Sequence, residues 1–283
     1  MNDTKIKETS FQLKKLTLKW LPNVTHVWNP EKQGILSFKS LQIVTVNGCE
    51  DLRTLFPIAL AKDLKKLEEL DVRFCDELPS IVEAEEGGTV DEDLVFPCLT
   101  TLALCYLPNL TGFCSQKFTL ECPELNCLVV YDCNDQLELF QSQPEENQNS
   151  TSTAKQLLFT NIKDISKMEK LTLNWRHTQA LSLWLRKLNN ENLESLNELS
   201  LLDDDDNGKR NSNVTVELFE KTPNLERLKV SYYYGDETLK NILPCHDNAN
   251  NKEILGNLKE LNLSNLNELK SIGGVEYLSK QLQ

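Results

Sequence analysis

A solenoid of short parallel strands is the fold class this sequence predicts, and three observations predict it. One apolar pattern recurs nine times along the 283 residues: an apolar residue, two variable, an apolar, one variable, an apolar. The copies return every 26 to 33 residues, with one longer interval of 43. No glycine- or proline-rich break is long enough to separate unlike domains.

The copies are Leu13-Leu16-Leu18, Leu41-Val44-Val46, Leu67-Leu70-Val72, Leu99-Leu102-Leu104, Leu125-Leu128-Val130, Met168-Leu171-Leu173, Leu196-Leu199-Leu201, Leu225-Leu228-Val230 and Leu258-Leu261-Leu263. They are repeats one to nine below. Met168 is aligned by its downstream pair. Alternate side chains of a strand share a face, so the last two apolar residues of each copy point inward together and the residue between them points out. Further apolar residues mark where the chain leaves each strand: Leu21 and Val24, Cys49 and Leu52, Cys75 and Leu78, Leu107 and Leu110, Cys133 and Leu137, Leu266 and Leu269. At Cys49, Cys75 and Cys133 a thiol takes the place usually held by Asn and serves as a small buried apolar group. One copy buries too little to fold alone, so stability resides in the interfaces between copies. The expectation is an α/β leucine-rich-repeat solenoid. It would be a curved horseshoe with parallel strands on the concave face and short helices or irregular turns on the convex face.

Between strands the chain must return on the convex side. Pro57 to Leu70 reads as a helix, with Leu60, Leu64 and Leu67 on one face. Thr153 to Lys167 and the shorter Val216 to Lys221 read likewise, and elsewhere 3₁₀ or irregular turns are expected. Glu83 to Asp93 and Gln141 to Thr153 are polar and read as solvated loops. The array is therefore expected to be single over 1–283: a first half 1–140, a polar insertion 141–153 and a second half 154–283. Four carboxylates, Asp203 to Asp206, read as a self-repelling loop, with divalent-ion binding the lesser alternative. Nothing before repeat one and only a short tail after repeat nine is available to cap the stack, so a fragment or shortened relative of a longer protein is expected.

Composition narrows the function. A net charge of −13 repels phosphate backbones and anionic membranes, so neither nucleic acid nor a membrane surface is expected as partner. No apolar run is long enough to span a bilayer, and Met1 to Ser10 lacks the apolar core of a secretory signal. Nine cysteines without paired spacing read as reduced thiols of a cytoplasmic protein. In that compartment the glycosylation sequons at Asn2, Asn23, Asn109, Asn149, Asn213 and Asn262 are chance matches. HExxH, GxSxG and strand-linked GxGxxG motifs are absent, and His26, His177 and His246 have no Ser or Cys partner at a recognisable spacing. No enzyme, metal site or cofactor is expected.

The concave face is the candidate site. Two residues beyond the last strand apolar stand Trp20, Phe74, Tyr106, Trp175 and Tyr232, with Gly48, Asp132, Asp203 and Asn265 in the other copies. If the strands stack in register, the aromatics share one lateral column, exposed as binding anchors or tucked under the next repeat at the turn. Lys19, Arg73 and Asn174, with Glu69, Asp71, Lys170, Arg227 and Lys229, stand at outward positions beside it and would give specificity or simply be solvated.

Several stretches carry a family resemblance. LKKLTLKWLPNVTHVWNPEKQGILSFKSLQIVTVNGCEDLRTLFP (Leu13 to Pro57), AKDLKKLEELDVRFCDELPSIVEAEEG (Ala61 to Gly87) and TPNLERLKV (Thr222 to Val230) are similar to the C-terminal repeats of plant nucleotide-binding leucine-rich-repeat disease-resistance proteins. The alternation of LPNL exits (Leu107 to Leu110) with NGCEDL exits (Asn47 to Leu52) is shared. The match is specific in repeats one to five and looser in six to eight, where Arg176, Asp204 and Tyr233 hold the turn position. The resemblance implies an intracellular immune receptor whose repeats sense a pathogen effector or an altered host protein and restrain a nucleotide-binding switch. This chain has no GxxxxGK[ST] loop, so that switch would lie in a missing part or another chain. Two other readings remain. A scaffold or ubiquitin-ligase substrate receptor would need an F-box-like helix, and an extracellular receptor would need a signal peptide and paired Cys caps.

Overall fold

In a computed structural model the described residues are 9–10, 12–28, 36–84, 94–115, 120–134, 137–140, 157–159, 166–174, 193–203, 216–232 and 256–267, with single positions 177, 181 and 185. The chain forms two compact units, Met1–Lys167 and Met168–Gln283.

In the first unit each of repeats one to five supplies one strand: Lys15–Lys19, Ile43–Asn47, Glu69–Arg73, Thr101–Leu107 and Cys127–Cys133. They pair in parallel, in chain order. The register places Leu16, Val44, Leu70, Leu102 and Leu128 in one row and Leu18, Val46, Val72, Leu104 and Val130 in the next. In the second unit Lys170–Asn174, Glu198–Asp203, Arg227–Tyr232 and Glu260–Ser264 do the same. Leu171, Leu199, Leu228 and Leu261 are aligned there, beside Leu173, Leu201, Val230 and Leu263. Repeat six is thereby registered through Leu171 and Leu173, as its alignment required. The fold is a leucine-rich-repeat solenoid of parallel strands with little helix.

One backbone device recurs at the strand entries of repeats two to five and seven to nine. Two successive N–H groups converge on a single carbonyl of the preceding repeat. Gln42 and Ile43 donate to the Lys14 carbonyl, Glu68 and Glu69 to Gln42, Thr100 and Thr101 to Glu68, and Asn126 and Cys127 to Thr100. In the second unit Glu169, Asn197 and Glu226 accept in the same way. The buried side chains sit behind this ladder. Leu41, Val44, Val46, Cys49 and Leu52 of repeat two have no exposure, and the equivalent five residues of repeats three and four match them. The end repeats differ. Leu16 and Leu18 of repeat one, and Leu261 and Leu263 of repeat nine, are half-buried.

The return segments depart from expectation in two places. The helix anticipated over Pro57 to Leu70 spans only Ile58–Asp63. Leu64 leaves helical geometry at φ −76°, ψ 47°, because Leu67 and Leu70 are needed as the first inward pair of repeat three, whose strand begins at Glu69. The amphipathic spacing there was the overlap of a short helix with the next repeat. Within Thr153 to Lys167 the described residues are the strand Leu157–Phe159, parallel to Glu138–Phe140, and a turn at 166–167. The short helix Val216–Glu220 is present. In place of expected irregular turns, Phe56–Pro57, Ser80–Glu83 and Gly112–Cys114 form a second parallel sheet behind the core. The turn residues Arg176, Asp204 and Tyr233, His246, the insertion Gln141 to Thr153 and residues 85–93 of the acidic stretch lie outside the described residues. Among the described residues no helix is long and apolar enough to cross a membrane.

The burial gradient makes a quantitative expectation. Leu102→Ala removes a side chain with no exposure and opens a cavity, costing about 2–5 kcal/mol. Leu16→Ala, on the half-buried end repeat, costs about 1 kcal/mol by the lost burial alone. Urea unfolding of the two variants checks this, and equal losses would contradict the gradient.

Candidate functional site: the strand-exit column

Strict strand alternation would send the residue two places after the last inward apolar into the core as well. It does not go there, because the backbone at that position is left-handed. Trp20, Gly48, Phe74, Tyr106 and Asp132 have φ of 54°, 68°, 53°, 55° and 52°, and Asn265 in the second unit has 56°. The turn swings this side chain to the sheet margin and lets the next residue (Leu21, Cys49, Cys75, Leu107 or Cys133) take the inward place. Left-handed geometry costs about 1–2 kcal/mol for a residue with a Cβ. Here hydrogen bonds to the next repeat hold it: Trp20 N–H to the Asn47 carbonyl at 2.8 Å, Gly48 N–H to Arg73 at 3.0 Å, and Phe74 N–H to Cys105 at 3.2 Å. Gly, Asp and Asn in the alternate copies are the residue types that tolerate this conformation. They were the signal in the sequence that the column is a turn.

Trp20, Phe74 and Tyr106 thus form one column in the first unit. Trp20 is 70% exposed and its ring lies across Gly48, where an added Cβ would meet ring carbon Cζ3 at 2.7 Å. Gly48 is therefore needed twice, for its φ and for the space above it. Phe74 is 39% exposed and stacks on Tyr106 with centroids 4.3 Å apart and planes 11° apart. Tyr131 meets Tyr106 edge-on at 5.1 Å.

Beside the column run the outward rows of the sheet. The nearest is Lys19, Asn47, Arg73, Cys105 and Tyr131. Lys19 is exposed. Arg73 is half-buried and donates from Nε to Asp71 Oδ1 at 2.6 Å, a bond that keeps its guanidinium firmly charged. Asn47 keeps a buried Oδ1 without a donor. Cys105 and Ala103, although outward, are covered because they are short between long neighbours. Burial pushes the Cys105 thiol up to about 12, against a smaller opposing pull from Arg73. Burial does the same to Cys75. Burial also raises Tyr131 well above the usual tyrosine range. Tyr131, Val129, Cys105 and Lys15 had not been singled out, although the repeat pattern itself assigns them outward positions.

The remaining anticipated residues are placed less favourably. Asn174 is only 5% exposed, so its amide is withdrawn from the surface it was expected to furnish. Tyr232 ends the strand of repeat eight, and Trp175 lies outside the described residues. The second unit instead carries an alternating charge row, Lys170, Glu198, Arg227 and Glu260, in register. Glu198 is bridged by Arg227 at 3.0 Å and Lys170 at 3.8 Å. This row reads as cross-strand pairing between exposed charges.

Residues 1–76 and 64–149 match the family model described as plant disease resistance protein RPS2-like, leucine-rich repeats. Together these segments cover just over half of the 283 residues. A curated disease resistance protein of Arabidopsis thaliana is 30% identical over 104 residues, covering 34% of this chain and 10% of that protein. The chain thus spans about a tenth of the length of the curated relative it matches. No solved structure matches it.

Two outcomes are expected from this geometry. Gly48→Ala lowers stability by about 1–2 kcal/mol, through left-handed strain and contact with the Trp20 ring. Adding Trp20→Ala recovers the steric part, and urea titration of the double variant shows whether it does. The second concerns thiols. At pH 8, exposed Cys98 is alkylated promptly while Cys75 and Cys105 react only after unfolding, read by peptide mass mapping. Both buried thiols titrate higher folded than unfolded. The stability they confer is therefore intact below about pH 9 and is lost as pH rises toward 12. Labelling of Cys105 at the rate of Cys98 would refute the packing described.

Proposed function

The chain belongs to the RPS2-like leucine-rich-repeat family of plant disease resistance proteins, and from that premise we propose that its repeats recognise a protein through the outward face of their parallel sheet. The observation that carries the reading is the exposed aromatic column beside that face: Trp20 over Gly48, and Phe74 stacked on Tyr106. Aromatic anchors flanked by Arg are the side chains that dominate protein interfaces. They stand here on a framework whose register fixes their mutual positions, so little conformational freedom is lost on binding.

In this reading the protein acts inside the plant cell, without catalysis, and binds a pathogen effector or a host protein. A nucleotide-binding domain in the same or another chain supplies the switch. The alternation of the strand separates the two tasks. Inward leucines hold the array, and outward residues are free to differ from one repeat to the next.

Pull-down from infected and uninfected plant extracts tests the reading. Proteins retained by the wild-type chain are expected to be lost when Phe74→Ala and Tyr106→Ala are combined in a variant that keeps its far-ultraviolet dichroism. Undiminished retention by that folded variant would show that recognition lies elsewhere.

A further inference from the structure

Resting on the recognition reading above, we propose that repeats one to four take an acidic peptide segment of the partner, one that carries a large apolar side chain about three residues from its carboxylates. The first support is an imbalance of charge. The chain holds 43 acidic and 30 basic residues, and several of its cations are engaged. Lys39 pairs with Asp63, Lys167 with Glu124, Lys170 with Glu198 and Lys259 with Glu226. Lys15 and Lys19 are not: among the described residues their ammonium groups make neither an ion pair nor a hydrogen bond. They lie four residues apart on one strand, so both project from its outward face. Their partners in register are Ile43 and Asn47, which are not carboxylates. Asp71, two strands away, is already bonded to Arg73.

The second support is the placement of apolar surface. Of the four large hydrophobic side chains that stand exposed among the described residues, Trp20 and Phe74 are in the strand-exit column. Trp20 adjoins Lys19, and Phe74 with Tyr106 makes a flat platform two repeats further on. Adjacent strands are about 4.8 Å apart, so Lys19 and the platform two strands away are about 10 Å apart, which an extended peptide covers in about three residues at 3.3 Å each, while Lys15 lies about 13 Å further back along its strand. Arg73 between them is neutralised by Asp71, so the attractive field is concentrated at repeat one. The net charge of −13 does not cancel it, because charges more than about 10 Å away are largely screened at 0.1 M salt. A nucleic acid needs a longer run of free cations than two lysines give.

The test uses the whole chain and three fluorescein-labelled hexapeptides at 0.1 M salt, followed by anisotropy. They are Glu-Glu-Gly-Gly-Leu-Phe, its Lys-Lys counterpart, and Glu-Glu-Gly-Gly-Ser-Ser. A labelled oligo(dT) is the fourth probe. The first peptide is expected to bind, with the other three at least about tenfold weaker. K15E with K19E, both at exposed positions and so compatible with folding, is expected to weaken the first peptide about tenfold. Phe74→Ala is expected to weaken it while sparing the salt dependence. Tighter binding of the basic peptide or of oligo(dT) overturns the proposal, as does equal binding to the folded charge-reversed protein. If none of the peptides binds, the acidic class falls. The broader reading falls separately, only if partner capture also survives the combined Phe74 and Tyr106 variant.

Discussion

Two adjacent N–H groups meeting one carbonyl at the strand entries within each unit, as Gln42 and Ile43 meet Lys14, fix how a repeat sits on the one before it. The single N–H at each strand exit, Trp20 to Asn47 or Phe74 to Cys105, fixes the other end. With both ends tied, the strand between has one possible register. That matters because a slip of one residue would turn Leu16, Val44, Leu70, Leu102 and Leu128 to the outward face together. The burial of the inner residues of repeats two to four is the consequence of this tie, since each side chain is covered by its counterpart above and below. Repeats one and nine show the converse. With a neighbouring repeat strand on one side only among the described residues, the same leucines are half-buried.

The left-handed residue at the exit follows from the same constraint. The chain must leave the ladder, turn, and still place a fourth inward residue such as Cys49 or Cys75. One residue at φ near 55° does this within a single step. The conformational cost is least for Gly48, Asp132 and Asn265 and greatest for Trp20, Phe74 and Tyr106. Strained aromatic residues retained where glycine would be easier are the pattern expected when a side chain is wanted at the surface. Stacking of Phe74 on Tyr106 returns about 0.5–1.5 kcal/mol of that strain.

The repeat strands were readable from leucine spacing alone because a solenoid converts sequence period directly into stacking: all nine anticipated triplets open or line observed strands. What the spacing concealed was the return path. Leu60, Leu64 and Leu67 fit a helix and also fit the approach to repeat three, and only the need to begin a strand at Glu69 decides between them. The short rear strands Phe56–Pro57 and Gly112–Cys114 are two and three residues long, too short to show alternation. In the site, the aromatic column was visible in the sequence, but its exposure was not. Asn174 looked equivalent to Lys19 and Arg73 by position, yet its local surroundings bury it.

Separating inward from outward positions explains how one framework can serve recognition without losing stability, but the first unit shows that the separation is incomplete. Ala103 and Cys105 are outward by register and nevertheless buried, Ala103 between Asp71 and Val129 and Cys105 between Arg73 and Tyr131. Enlarging either would lift Arg73 from Asp71 or Tyr131 from Tyr106 and so rearrange the platform without touching the leucine core. Small residues at repeat four therefore act as spacers that set the height of the aromatic surface. The outward face is a packed layer in its own right, with its geometry determined by side-chain size at the covered positions as much as by the identity of the residues that a partner would meet.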